Sequence, residues 1–517
     1  MNFTPPLGGA PAPARRPFWQ IAADAFDSSC LVTDDGKKLS KAELQAHVDA
    51  IKAHLNFPRK ALGFVLCRND LPSLAAYLAC LQKGHAVLLL PHDMEASLLD
   101  PLAEAYQPDF VWSPRSEGHA GFMPNGLLMD GHRLHRLKRN ADHPPIHPEL
   151  ALLLSTSGST GNPKLVRLSY ANLQANAASI ADYLGLGADE RPITSLPMHY
   201  SYGLSVINSH LFADATILLT GRKIRSQEFW SHFNEHGATS MSGVPYVYQM
   251  LSELGFENME LPTLRTLTQA GGHLDVKLQE HFMKWSRERN VRYYTMYGQT
   301  EATARIAYVP PDRADDCRGS IGVPIPGGKI DIVDGELVYS GANVMLGYAE
   351  SRADLAKGDE LGGRLHTGDI ARIDENGFCY IVGRKKRFIK IMGLRINCDD
   401  VERQLSSEFG QRCVVIGTDS HMTVATDASG PEEAIIEFIR RTYHIKGSLC
   451  SVRVVAELPL LSNGKVDYCE LKRMIEQEGA DCPRSGGLFP IPSAADALQA
   501  LRDRGNGAAL HRPAGAA

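Results

Sequence analysis

Cysteine pairs with metal or redox spacing are missing from this chain. Its ten cysteines are scattered from Cys30 to Cys482, and no two form a CxxC unit. In a chain of 517 residues that excludes a disulfide framework or a zinc ribbon and points to reduced thiols in a cytoplasmic setting. The nineteen histidines fall in no HExxH or comparable ligand spacing, so no structural metal is expected. No apolar run approaches the length that crosses a bilayer, which predicts no membrane span. The segment Met1 to Arg16 is rich in Pro, Ala and Gly and lacks the apolar core of a secretory signal. Residues 1–20 read as a disordered lead-in. A formal net charge of −5 supplies no electrostatic reason to bind nucleic acid. Internal repeats are absent as well.

What is there is an α/β rhythm. The chain is too long for one core and should divide into domains. Ala61-Leu-Gly-Phe-Val-Leu66 reads as a strand, Leu71 to Lys83 as a helix, Ala86-Val-Leu-Leu-Leu90 as the next strand, and Ala215 to Thr220 as another. Strands alternating with helices predict largely parallel sheets. From about Gly319 the texture changes to short glycine-punctuated strands, Lys329 to Val333, Glu336 to Tyr339 and Phe378 to Val382, which predict an antiparallel, barrel-like subdomain. Gly383-Arg-Lys-Lys-Arg387 is then a candidate domain junction, with a basic hairpin turn as the alternative. Beyond it a helix (Asp399 to Phe409), a strand (Arg412 to Ile416) and a helix (Pro431 to Tyr443) make a small α+β unit. From Gly479 the chain reads as a tail with one short helix, Ala494 to Arg504.

The densest chemistry lies in Ser155-Thr-Ser-Gly-Ser-Thr-Gly-Asn-Pro-Lys164. Directly before it, Ala151 to Leu154 reads as a buried strand. Gly158 and Gly161 let backbone N–H groups approach anionic oxygens. Thr156, Ser157, Ser159 and Thr160 add donors, and Lys164 adds a charge, so the loop is suited to phosphate. A solvated surface loop is the alternative. It is not a Walker A sequence: Gly158 and Gly161 are too close, and Pro163 biases Asn162 away from helix. A P-loop nucleoside triphosphatase is disfavoured.

Further motifs follow in order: Tyr297-Gly-Gln-Thr-Glu301, His366-Thr-Gly-Asp369, Gly383-Arg384, Lys390-Ile-Met-Gly393 and Ser462-Asn-Gly-Lys465. In this order and spacing, over residues 30 to 475, the chain resembles the adenylate-forming superfamily of acyl-CoA synthetases, nonribosomal peptide synthetase adenylation domains and luciferases. The resemblance implies a large N-terminal domain, residues 21–384, of two α/β subdomains plus a β-barrel-like subdomain. A small mobile α+β domain, residues 385–478, and a flexible tail, residues 479–517, would follow.

Each motif then acquires an implied role, beside a plainer one. Glu301 would hold Mg²⁺ against ATP phosphates, since magnesium takes few protein carboxylates plus phosphate oxygens; an exposed loop acid is the alternative. Thr300 would add a phosphate contact beside Gly298. Gly271 and Gly272 would let adenine lie on bare backbone, or form a simple turn. Tyr297 would stack on the base, or pack in the core. Asp369 would accept the ribose hydroxyls, with Arg384 beside it, or close an Asx turn. Lys465 is either a solvated surface charge or, by the resemblance, the lysine that bridges substrate carboxylate and α-phosphate. The resembled motif carries proline where this chain has Leu461 or Ser462. Lys386 matches the hinge position, and Gly393 the channel for a pantetheine arm.

The implied reaction makes an acyl-adenylate from ATP and a small carboxylic acid. It then passes the acyl group to CoA, or to the phosphopantetheine of a separate acyl carrier protein. The acyl pocket would involve His199, Tyr200, Tyr202, Gly203, Ser242 and Gly243. Amino-acid-activating members carry an aspartate in the first of these regions; the nearest acid here is Asp214. A buried ammonium without a partner is costly, so a non-amino acid is expected, with amino acid activation as the alternative. No Asp/Gly-x-x-Ser-Leu carrier signature occurs in the chain, and no insertion of the kind found in fatty acyl-AMP ligases is evident. A luciferase-like oxidation and a catalytically silent binding protein are further alternatives.

Overall fold

The computed structural model describes residues 16–21, 28–114, 122–137, 144–155, 164–384, 387–391, 394–417, 421–443, 445–461 and 465–481. Two large sheets dominate residues 1–471. In the first, Leu150–Ser155, Ala86–Pro91, Leu62–Cys67 and Phe110–Ser113 run parallel in that order. Their near-continuous Leu, Val and Phe content reflects burial on both faces, as parallel sheets require. Helix Leu71–Gln82 follows its strand at Asp70, whose side chain accepts the Ser73 amide as an N-cap.

The first sheet ends in antiparallel strands. Leu165–Ser169 returns against Leu150–Ser155, and Gly347–Ala349 pairs beyond it. The glycine- and hydroxyl-rich segment therefore joins two strands of a hairpin rather than a strand to a helix, as Pro163 predicts. Residues 156–163, which include Thr156 to Gly161, lie outside the described residues.

In the second sheet Arg292–Tyr297, Thr266–Gln269, Ser240–Gly243, Pro192–Ile193, Ile217–Leu218 and Ser29–Val32 are parallel neighbours. The strand expected over Ala215 to Thr220 is shorter. Thr216 and Thr220 turn their hydroxyls onto Ser29 and Asp34 instead of extending the ladder. A third sheet is antiparallel and runs Lys329–Val333, Glu336–Ser340, Arg364–Ile373, Cys379–Arg384. The fold is mixed α/β with a glycine-punctuated antiparallel subdomain.

Beyond Arg387 a smaller α+β unit has its own core. Ile389, Val401, Leu405, Val415, Val424, Ile435 and Ile439 are buried together. Helices Cys398–Phe409 and Glu432–Tyr443 accompany the strands Cys413–Gly417, Met422–Thr426 and Cys450–Val454. A second compact unit spans residues 472–517, of which residues 472–481 are described, as helix. The helix expected at Ala494 to Arg504 lies outside the described residues.

Residues 16–21, inside the stretch expected as a lead-in, carry two buried aromatic side chains. Phe18 and Trp19 are buried, and Trp19 packs on Tyr170 with ring centroids 5.4 Å apart. Two large aromatic groups outweigh the disorder-favouring Pro and Ala that precede them. Among the described residues no helix is long and apolar enough to cross a membrane, and eight of the ten cysteines, from Cys30 to Cys450, are buried and free of disulfides.

Candidate active site

Three adjacent parallel strands of the second sheet deliver the central motifs. Ser240–Gly243 ends at Gly243, Thr266–Gln269 runs into Ala270-Gly271-Gly272, and Arg292–Tyr297 runs into Gly298-Gln299-Thr300-Glu301. Gly243 lies in register with Gln269, and Gln269 with Thr295. The motifs thus emerge side by side at the carboxyl ends of the strands, where open α/β sheets form their ligand crevices. Gly298 is obligatory there: a Cβ would lie 1.8 Å from the Ala304 carbonyl oxygen. Gly271 has φ +87°, and a Cβ on it would sit 2.7 Å from the Tyr200 hydroxyl.

The side expected to meet phosphate is open and charged. Glu301 sits on a short 3-10 turn, Thr300–Ala302, and accepts the Tyr348 hydroxyl at 2.8 Å. Tyr348 also lies under the Lys164 ammonium, which is 5.4 Å from its ring centroid and 3.1 Å from the Glu350 carboxylate. Strand Gly347–Ala349 is anchored from behind by Arg167, a fully buried guanidinium. It donates to the carbonyls of Tyr348 at 3.0 Å and Leu346 at 3.3 Å and pairs with Glu360. The Thr300 hydroxyl meets that of Ser201 at 3.2 Å.

The side expected to meet ribose is closed and saturated. Asp369 is 2% exposed and lies in register with Arg384 across the third sheet. Arg384 Nε is 2.9 Å from one carboxylate oxygen. The other oxygen accepts the Tyr297 hydroxyl and, at 2.9 Å, the Gln299 amide. Burial, then the neighbouring Asp369 charge, holds the Tyr297 phenol well above its ordinary range, so it is a donor. A carboxylate has about four acceptor positions, and three donors already use this one. Admitting both hydroxyls of a ribose requires one donor to withdraw, and Arg384, with a side chain 55% exposed, has the room.

On the acid side, Asn69 clamps the backbone of Leu196 and Met198, each at 2.9 Å. That loop presents His199 and Tyr200 ahead of helix Ser201–Phe212. Both ring nitrogens of His199 are buried without a hydrogen-bond partner, and burial pushes the imidazole down to about 4, which keeps it neutral. Gly203 packs so closely that a Cβ would lie 2.2 Å from the Pro197 carbonyl oxygen. Tyr202 and Ser242 are tied together through Thr268, at 2.7 Å and 2.9 Å between side-chain oxygens. Tyr202 is fully buried and stiffens the wall from within.

Lys465 comes from the far end of the chain. Leu461 N–H donates to its carbonyl at 2.7 Å, closing a tight turn. Burial foremost, then the Arg384 charge, pulls its ammonium below the ordinary lysine range, while Glu301 and Asp369 pull the other way. Lys465 therefore lies within electrostatic reach of both the magnesium candidate and the ribose candidate. Lys386 and Gly393 lie outside the described residues.

The profile of a family described as AMP-binding enzyme matches residues 18–349. The chain belongs to the AMP-binding enzymes. A feruloyl-CoA synthase from Amycolatopsis is 27% identical over 447 residues, covering 78% of this chain and 87% of that protein. A long-chain-fatty-acid–CoA ligase from Escherichia coli is 31% identical over 376 residues, covering 67% and 64%. Among solved structures, o-succinylbenzoate coenzyme A synthetase from Bacillus subtilis, with its acyl-adenylate intermediate, superposes with TM-score 0.69 at 21% identity over 92% of this chain and 99% of that one.

Several residues of this AMP-binding enzyme's cleft carry no local signal in the sequence. Tyr348 and Glu350 reach the phosphate side only because Gly347–Ala349 pairs with Leu165–Ser169. Asn343 donates to the carbonyls of Ala302 at 2.8 Å and Arg305 at 2.7 Å, and so holds the turn that carries Glu301. Thr303 adopts φ +60° in that turn and donates to the Asn343 carbonyl at 2.7 Å. Gln299, within a recognised motif, was legible as a polar neighbour of Glu301; its bond to Asp369 was not.

Proposed function

We propose that this enzyme activates a carboxylic acid with ATP as an acyl-adenylate and transfers the acyl group to the thiol of CoA. The observation that supports the reading is the buried Asp369 carboxylate, held by Arg384 and by Tyr297 and Gln299 on the segment that also carries Glu301, with both acids acting on the Lys465 ammonium. In the first step a carboxylate oxygen attacks the α-phosphorus of ATP and pyrophosphate leaves. Lys465 donates to the carboxylate and α-phosphate oxygens as negative charge gathers there. Lys164 neutralises the outer phosphates beside Tyr348. Asp369 and Arg384 orient the ribose, and Gly271 and Gly272 admit adenine on bare backbone.

The residues fit magnesium. Glu301 is a half-buried carboxylate, and its neighbour Glu350 is taken up by Lys164 at 3.1 Å, which leaves the sparse protein ligation that Mg²⁺ tolerates. When bound, the ion would shield the phosphate charges. In the second step the thiol attacks the mixed anhydride and AMP leaves; a carrier protein's phosphopantetheine presents the same arm and is the alternative acceptor. Lys386 and Gly393 would serve as hinge and thiol channel, with the small domain beginning at residue 385 and the reaction in the cytoplasm.

Exchange of labelled pyrophosphate into ATP, dependent on an added acid, tests the first step. Acid-dependent AMP release that CoA accelerates tests the second. Absence of exchange with every acid offered overturns the proposal.

A further inference from the structure

Arg305 is a buried cation without a countercharge. It is 3% exposed, and no carboxylate lies within ion-pair distance of it among the described residues. Its Nε has no hydrogen-bond partner, its Nη1 reaches the carbonyl of Ala304 at a long 3.3 Å, and its one side-chain partner among the described residues is the neutral Tyr183 hydroxyl. The guanidinium carbon lies 4.1 Å from the centroid of the Tyr202 ring. Its charge also bears on the hydroxyls of Tyr183 and Tyr200. Buried charges are normally paired or ligated. An aromatic face is a weaker partner than the hydration a guanidinium loses.

The environment separates Arg305 from the phosphate side. The left-handed turn at Thr303 reverses the chain between Glu301 and Arg305. Glu301 meets Tyr348, whereas Arg305 meets Tyr202, whose hydroxyl belongs to the Thr268–Ser242 wall of the acid side. Tyr200, its other neighbour, borders Gly271. The charge therefore lies against the Tyr202 wall that the proposed acid pocket would use, rather than beside Glu301.

We propose that Arg305 binds a second anionic group on the substrate, so that the enzyme adenylates one end of a dicarboxylic acid while the guanidinium holds the other. This rests on the adenylation reading and narrows it. Planar five-donor geometry suits a carboxylate, which it can grip with two parallel bonds. Tyr200 stands ready to share that carboxylate. The same cation repels a substrate ammonium, which accounts for a pocket with no acid between Pro197 and Gly203.

The test is pyrophosphate exchange with dicarboxylic acids from malonate to suberate and with phthalate, each beside its monomethyl ester. The favoured diacid should exceed its ester by about a hundredfold in kcat/KM. Arg305→Met should erase that ratio, mainly through a raised KM for the diacid, while exchange with the ester persists. Arg305→Lys should keep the preference in weakened form. Exchange that favours the esters, or a diacid preference unchanged in Arg305→Met, overturns the assignment and leaves adenylation standing. Exchange with no acid at all removes the adenylation reading itself. Should Arg305→Met fail to fold, the ratio for the unaltered protein decides alone.

Discussion

The two ends of the candidate site, one proposed for phosphate and one for ribose, are built on opposite principles. At the phosphate end Lys164, Glu350, Tyr348 and Glu301 are exposed or half-buried, and each has few protein partners. At the ribose end Asp369 is buried and its carboxylate is nearly filled by Tyr297, Gln299 and Arg384. Exposed charges cost little to hold apart and little to remove, so they are available to a ligand. A buried, saturated carboxylate is structural before it is functional, because every donor around it depends on it. Substitutions at the open end should therefore cost activity without stability, and at the closed end they should cost both.

Lys465→Ala gives the largest expected effect and tests the comparison at its boundary, because burial acts on its ammonium as it does not on the exposed charges. Loss of the donor that follows charge onto the α-phosphate should lower acid-dependent exchange by about 10²–10³, with the thermal midpoint unchanged. Thiolysis of a supplied acyl-adenylate should persist; equal loss of both steps would contradict the role. The native enzyme carries a pH signature of the same residue. Because burial depresses the Lys465 pKa, the charged form is lost at lower pH than for an ordinary lysine. Exchange should fall on the alkaline side earlier than a solvated lysine would allow, and Lys465→Arg should abolish that limb.

Asp369→Ala should sharpen the contrast. It strips a shared acceptor from Tyr297, Gln299 and Arg384 in a buried setting, a loss of about 2 kcal/mol. A lowered thermal unfolding midpoint together with a raised KM for ATP is the expected pair. A raised KM with an unshifted midpoint would place Asp369 in the open class and break the comparison.

The same division separates what the sequence discloses from what it hides. Gly271, Gly298 and Lys164 were legible because their use depends on local backbone: a positive φ, a forbidden Cβ, a hairpin turn after Pro163. The alternation of strands and helices was legible for the same reason, as was the change to antiparallel texture near Gly319. Tyr348, Asn343 and Arg305 were not, because their roles arise from pairings across long stretches of chain. Tyr348 looks like any exposed tyrosine until Gly347–Ala349 is laid beside Leu165–Ser169. Arg305 reads as a surface charge until Asn343 and the Thr303 turn draw it inside. Phe18 and Trp19 were hidden in a Pro- and Ala-rich stretch whose composition favoured disorder.

Tyr348→Phe is the finest probe of the open end. It removes one hydrogen bond to Glu301, of about 1 kcal/mol, and keeps the ring beneath Lys164. If the hydroxyl orients the Glu301 carboxylate, the variant should need several-fold more magnesium for half-maximal exchange, with kcat at saturating magnesium little changed and the thermal midpoint unmoved. The ring should matter separately from the hydroxyl: Tyr348→Ala also removes the surface on which the Lys164 ammonium rests, and it should raise the KM for ATP beyond the level of the phenylalanine variant. Equal behaviour of the two variants would mean that Glu301 alone, not the tyrosine bridge to Lys164, organises the phosphate side.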